Sequence, residues 1–153
     1  MSRYTCHCLR CGAKKRGRKR RYKCDCGGYL IPITHNMLAV AEQFKSLGFK
    51  IAAAEDFVSI PLAEDDWRVL LVHVDFARIY DQTIFSSLPE GWDYLVFDRE
   101  NISRVACMEQ YAALSLITDK QAIKHIINEL SRWVRKLDED GRIHVYILAG
   151  FLD

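Results

Sequence analysis

The sequence predicts an α+β protein, with a small cysteine-rich N-terminal module followed by an α/β two-layer domain whose mostly antiparallel sheet carries helices on one face. Three observations carry that expectation. Five of the six cysteines fall between Cys6 and Cys26. Residues 67–76 alternate with period two, Leu70, Val72, Val74 and Phe76 on one side and Val69, Leu71, His73 and Asp75 on the other. Residues 118–137 repeat apolar side chains at helical spacing behind a Thr-x-x-Gln capping box. With 153 residues, half of them hydrophobic and only three of them proline, the chain is long enough for a real core and unlike a disordered one. The division expected is residues 1–31 for the module and 35–153 for the domain.

The module reads Y-T-C-H-C-L-R-C-G from Tyr4 and K-C-D-C-G-G-Y-L to Leu30, with twelve residues between Cys11 and Cys24. Two close pairs of thiols joined by a short loop suit a tetrahedral zinc ion. Cys8, Cys11, Cys24 and Cys26 are the simplest ligand set, and Gly12 and Gly27 let the chain curl under a metal with positive φ. Only Asp25 separates Cys24 from Cys26, a tighter spacing than the usual two residues, so Cys6 is a possible substitute ligand, and His7 is also within reach. Too few apolar residues are present here for a separate core, and a bound metal would supply the folding energy. Disulfides are the alternative, but the thiols cluster without distant partners and no apolar leader-like run stands before them. The expectation is therefore Zn2+ in a reducing cytoplasm.

The run from Tyr4 to Leu30 resembles a zinc ribbon. It is most similar to the ribbon of the SprT/Spartan-type metalloproteases, in which a basic loop leads into Tyr-x-Cys and Cys-Gly-Gly-x-Leu; Arg21, Tyr22, Cys24, Cys26, Gly27, Gly28 and Leu30 carry the likeness. It covers 27 of 153 residues, and the protease is not implied: the sequence contains no H-E-x-x-H helix to hold a catalytic zinc. The remainder is only loosely like small, uncharacterised bacterial or phage proteins with a ribbon ahead of an α/β domain, a likeness that implies no activity.

Between the knuckles lies K-K-R-G-R-K-R-R-Y-K, read as a mobile loop. Residues 1–35 hold ten Lys and Arg against Asp25 alone, while the remaining 12 Lys and Arg face 19 Asp and Glu. A single-sign block on a metal-held scaffold points to nucleic-acid backbone, contacted by Lys14, Lys15, Arg16, Arg18, Lys19, Arg20, Arg21 and Lys23, with Tyr22 and Tyr29 placed to stack on bases. Nothing resembles a base-reading helix, so the contact expected is sequence-independent. The competing readings are a plain solvated face, docking on the acidic remainder of the chain, and an acidic protein partner for an adaptor or inhibitor.

In chain order, residues 31–36 form the joint, with Pro32 holding Ile31 extended and Thr34 or Asn36 available as a cap. Met37 to Leu47 is a predicted helix stopped by Gly48; Lys50 to Leu62 is a strand ended by Pro61, and Asp65-Asp66 a turn into the strand Trp67 to Phe76. Tyr80 to Leu88 reads as a short helix and Trp92 to Asp98 as a strand. Asn101 to Ile117 fits either helix or strand, with Cys107 a small core residue. The helix from Thr118 presents Ile123, Ile126, Ile127, Leu130, Val134 and Leu137, with Trp133 and His125 at the edge of its stripe. Asp138 to Gly141 ends it, and Arg142 to Ala149 is a last strand. His73 and Asp75 share a face and are the most enzyme-like pair, but a polar pair on a half-solvated sheet face is the simpler reading. No nucleophile stands at recognisable spacing, so no catalytic residue is assigned and an accessory, non-catalytic role is expected. No apolar run reaches the ~18 residues of a membrane-spanning helix.

Overall fold

The computed structural model describes residues 3–59, 67–112 and 118–139. It is an α+β architecture of two four-stranded antiparallel sheets and two α-helices. The first sheet is built from β1 (Tyr4–Cys8), β2 (Lys14–Gly17), β3 (Tyr22–Lys23) and β4 (Tyr29–Pro32), in the order β2-β1-β4-β3. β1 is central: Tyr4 pairs with Gly17 on one side, and Cys8 pairs with Leu30 on the other. Lys14 to Lys23 is therefore not a mobile loop. Its first four residues extend the β1 hairpin as an edge strand, and Tyr22 and Lys23 pair with Leu30 and Tyr29. The backbone hydrogen bonds of a short hairpin outweigh the charge density that makes this stretch look unstructured in sequence.

The second sheet follows the order β5-β6-β8-β7, from β5 (Ile51–Ser59), β6 (Trp67–Phe76), β7 (Trp92–Phe97) and β8 (Ile102–Ala112). Residues 102–112, ambiguous in sequence, are thus a strand, and the Val-Ala-Cys run lies in register against β6, with Val72 opposite Cys107 and Val74 opposite Val105. β6 pairs with it along most of its length and β7 along Ile102 to Cys107, so pairing with neighbours decides between two states that local propensity leaves balanced. The β7–β8 hairpin closes through Asn101 at φ 54°, a left-handed position that asparagine tolerates.

Helices α1 (Leu38–Ser46) and α2 (Asp119–Glu139) pack on one face of this sheet. Val40, Ala41 and Phe44 from α1 meet Ile126, Leu130 and Val134 from α2 over the alternate residues Leu70, Val72, Val74 and Phe76. Phe44, Phe49, Phe76, Tyr80 and Phe85 form a chain of edge-on and tilted rings at centroid distances of 4.9–6.1 Å. Trp133 is a core residue rather than an edge one: it lies against Phe85, and its Nε1 donates to Ser87 at 3.0 Å. The capping box at α2 is made in both directions, Gln121 N donating to Thr118 Oγ1 and Thr118 N to Gln121 Oε1.

The first expected helix, Met37 to Leu47, is α1 with those two residues as its caps, while the second is much shorter than its pattern. Residues 35–37 form a 3-10 turn before α1, and Thr34 and Asn36 direct their side chains to Asp56 instead of capping the helix. Tyr80 to Leu88 yields only a 3-10 turn at Gln82–Phe85, opened by Asp81, whose carboxylate accepts from Thr83. The expected turn at Asp65-Asp66, the break at Pro61, the end of the segment at Ile117, Gly141 and the last strand Arg142 to Ala149 lie outside the described residues. Among those described, no helix is long and apolar enough to cross a membrane.

The first sheet and the domain are joined by more than chain connectivity. Ile33 makes a parallel bridge to Ala54 of β5, Ile31 and Ile33 enter the large core, and His7 Nδ1 lies 3.1 Å from Ile33 O. Lys45 of α1 donates to Leu9 O at 2.6 Å, and Arg20 reaches Glu55 of β5 at 2.7 Å. These contacts hold the cysteine module against one edge of the sheet.

Candidate metal centre and basic edge

The centre is assembled from two tight turns at the open end of the first sheet. In the first, Cys8 closes β1 and its backbone is clamped by Gly12 N to Cys8 O and Cys8 N to Ala13 O, both at 2.8 Å. In the second, Cys24 N donates to Gly28 O and Gly27 N to Cys24 O, both at 3.0 Å. Gly12 at φ 83° and Gly27 at φ 93° supply the left-handed step each turn needs. The result gathers the Sγ atoms of Cys8, Cys11, Cys24 and Cys26 within 4.8 Å of one another. Cys8 lies 3.5 Å from Cys26, and Cys11 lies 3.5 Å from Cys24. Thiolates on a tetrahedral zinc stand about 3.8 Å apart, from Zn–S bonds near 2.3 Å, so the cluster has the size of such a site.

The four thiols act on one another electrostatically. Burial opposes ionisation of Cys8, but the Cys11 and Arg10 backbone N–H groups and the neighbouring thiols outweigh it and bring its pKa down to about 6. At Cys24 the backbone N–H of Cys26 favours the thiolate, yet the thiols of Cys11, Cys26 and Cys8 prevail and push its pKa up to about 12. One sulfur ionises readily and thereby holds back another, which is how like charges at one point behave. A divalent ion removes that conflict.

Cys6 is not in the cluster. It lies on the same face of β1 two residues earlier, fully buried, with its Sγ 3.7 Å from Lys19 O, and burial pushes its thiol pKa up despite the nearby Arg20. His7 faces the opposite side, toward the domain core. Cys107 is buried as well, its pKa raised to about 12 by desolvation and by surrounding carboxylates, which suits a packing role.

The basic residues occupy an edge. Lys14, Lys15 and Arg16 are exposed on β2, and Arg18, Lys19, Arg21 and Lys23 are exposed in the turn and strand that follow. Three residues are more engaged than their types suggest. Arg20 forms the ion pair with Glu55 and lies 4.7 Å from the Tyr4 ring. Tyr22 is half-buried: Lys15 Nζ sits 4.3 Å from its ring centroid, and its hydroxyl accepts from Lys19 N at 3.0 Å. Tyr29 is open to solvent on one side, but the Arg21 guanidinium covers the other at 3.7 Å. Cations on both rings are the intramolecular counterpart of the base stacking expected of them.

His73 and Asp75, which the strand alternation places on one face, belong to a wider network with Arg104 and Glu55 that the sequence pattern did not show. Instead of lying half-solvated, they are 3% and 7% exposed on the sheet face opposite the helices. His73 Nδ1 lies 2.9 Å from Asp75 Oδ1; Arg104 donates to the same carboxylate through Nε at 2.6 Å and Nη2 at 3.1 Å. Glu55 Oε1 is 3.8 Å from His73 Nε2, and Phe57 stacks over the imidazole at 5.7 Å. Register explains the meeting, because Glu55 is opposite His73 and Asp75 is opposite Arg104. No sequence-local signal could have paired them. With Arg20 on Glu55, the chain of charges runs from the cysteine module across three strands and braces the module against the sheet.

Comparison of the chain with family models, with curated proteins and with solved structures finds no match.

Proposed function

We propose that this protein is a zinc-binding accessory protein that grips nucleic-acid backbone through the basic edge of its ribbon. Cys8, Cys11, Cys24 and Cys26 hold the ion, the resemblance of this segment to the SprT/Spartan-type ribbon agrees with that ligand set, and a reducing cytoplasm keeps the thiols available. The metal is structural here: it closes two turns that otherwise rest on a few backbone hydrogen bonds and a small cluster around Cys6, Cys8 and Leu30.

The single observation that carries the nucleic-acid reading is the row of Lys14, Lys15, Arg16, Arg18 and Lys19, all exposed, along an edge strand and its turn, with Asp25 the one acid in residues 1–35. Lys14 and Arg16 lie on one face of the edge strand and Lys15 on the other, so the edge offers cations for phosphates on either side and carries no means of reading bases. Arg20 belongs to the brace on Glu55 and contributes less.

Titration of short DNA and RNA at stepped salt tests this. Four to six neutralised phosphates give a log–log slope of about −3 to −5. Replacing Arg16, Arg18 and Lys19 with Ser flattens that slope and weakens binding while zinc stays bound. Wild-type protein that ignores nucleic acid but retains an acidic polypeptide on the same row would replace this reading with that of an adaptor.

A further inference from the structure

Helices α1 and α2 cover the face of the second sheet that carries Leu70, Val72, Val74 and Phe76. The opposite face holds the exposed apolar side chains of the domain. Five large hydrophobic residues are exposed among those described, and four of them, Phe57, Leu95, Phe97 and Met108, belong to this sheet. Register puts all four on the side away from the helices. Half-buried Leu71 lies opposite Phe57 on β5 and opposite Met108 on β8, while Leu95 and Phe97 lie opposite Arg104 and Ile102. Their exposures run from 36% to 65%. Single surface hydrophobes are ordinary, but four gathered on one sheet face mark a contact surface.

The polar groups of this face are mostly spent within the chain. Glu55 is held by Arg20, and Asp75 by His73 and Arg104. What remains is one point of each sign. Asp93, on the same face of β7 as Leu95, is exposed and has no hydrogen-bond or ion-pair partner among the described residues. Arg104 reaches Asp75 through Nε and Nη2, and its side chain is 30% exposed, so the guanidinium keeps further N–H donors. An apolar field with an unmatched carboxylate and a partly spent guanidinium is complementary to a copy of itself: a two-fold contact offers each Asp93 an arginine and repeats the pairing. The area suffices as well. Four strands about 4.8 Å apart and about eight residues long give a face of about 500 Å2, or about 1,000 Å2 over two copies, the smallest area that holds a specific association.

We propose that the protein forms a reversible two-fold dimer by stacking the open faces of its second sheet, with Phe57, Leu95, Phe97 and Met108 as the apolar contact and Asp93 paired with the partner's Arg104. The two sheets then face each other as the layers of a sandwich, about 10 Å apart. Such an assembly carries two ribbons and two basic edges, so an anion long enough to reach both is held with added avidity. That consequence rests on the nucleic-acid reading of the basic edge; the dimer itself does not.

Sedimentation equilibrium of full-length, zinc-bound, nuclease-treated protein over about 1 to 300 μM tests this, the range in which an interface of this size associates. The expected result is a monomer that passes to a dimer and to nothing larger. The dimer should persist at about 0.5 M salt, where exposed charges are screened, because the contact is chiefly apolar. Met108→Glu should weaken it by about tenfold or more, at unchanged zinc content and at the melting temperature of dilute wild type. Asp93→Arg should weaken it as well, by setting two cations against each other. Met108 stands on β8, an interior strand, so a dimer joined through the free edges of β5 or β7 would not respond to its replacement. Protein that stays monomeric over the whole range overturns the proposal, with the face then left to a different protein. A dimer that survives Met108→Glu overturns it in favour of an edge contact, and one that dissolves in salt does so in favour of the basic ribbon resting on an acidic surface of a second copy.

Discussion

Gly12 shows how a single backbone angle supports the metal centre. At φ 83° it stands where an L side chain is strained, while a Cβ there would meet nothing within 4 Å. Gly12→Ala therefore isolates the backbone cost, about 1–2 kcal/mol with no steric term. We expect weaker zinc retention against a competing chelator and an unchanged domain core, readable as a selective loss of amide protection in residues 4–30. Asp75 makes the opposite kind of point, through charge. Burial opposes its ionisation, but hydrogen bonds from His73 and Arg104 outweigh that and hold its pKa below the usual carboxylate range. A depressed folded-state pKa contributes stability above the unfolded value near 3.9, and that contribution disappears as pH falls through the folded value. Wild type should melt above Asp75→Asn at neutral pH, by a margin worth about 1–3 kcal/mol, and the margin should close below about pH 4. Acid release of metal is common to both proteins and drops out of the difference. A margin independent of pH would mean that Asp75 acts through shape alone.

Among the elements, α2 was the most legible from sequence, because its capping box and its 3.6-residue period are both local. Thr118→Ala removes the acceptor for Gln121 N and should cost about 1 kcal/mol, seen as a lower denaturation midpoint at constant slope. No change would indicate that packing of Ile126, Leu130 and Val134 alone fixes the helix. β6 was equally readable, since Leu70, Val72, Val74 and Phe76 are all fully buried as their alternation requires. What failed to read were features decided across the chain. β8 looks helical in its alanines until β6 and β7 pair with it on both sides. Lys14 to Gly17 looks like loop until β1 is beside it. Glu55, His73, Asp75 and Arg104 are ordinary strand positions until register aligns them, and Arg20 is one cation among many until the ribbon rests on β5.

For the whole molecule, the consequence is that the ribbon is attached by its base and free at its edge. Ile31 and Ile33 feed the domain core, Arg20 and Lys45 tie the two parts together, and the row from Lys14 to Lys19 stays exposed. The four cysteines were visible in their spacing, because a metal site of this kind needs only two short turns, each of them local. The cleft between ribbon and domain was not visible, since Arg10, Lys45 and Lys50, which line it, are distant in sequence. The basic edge and the cleft both depend on the turns that carry the thiolates. The most direct measurement is therefore the metal content of purified protein, by elemental analysis alongside free-thiol counting. The account predicts one zinc per chain, lost together with the ribbon's amide protection when Cys8 and Cys26 are replaced by Ser and unaffected by Cys6→Ser. Metal-free protein with the ribbon still ordered, or cystines among these cysteines, would contradict it.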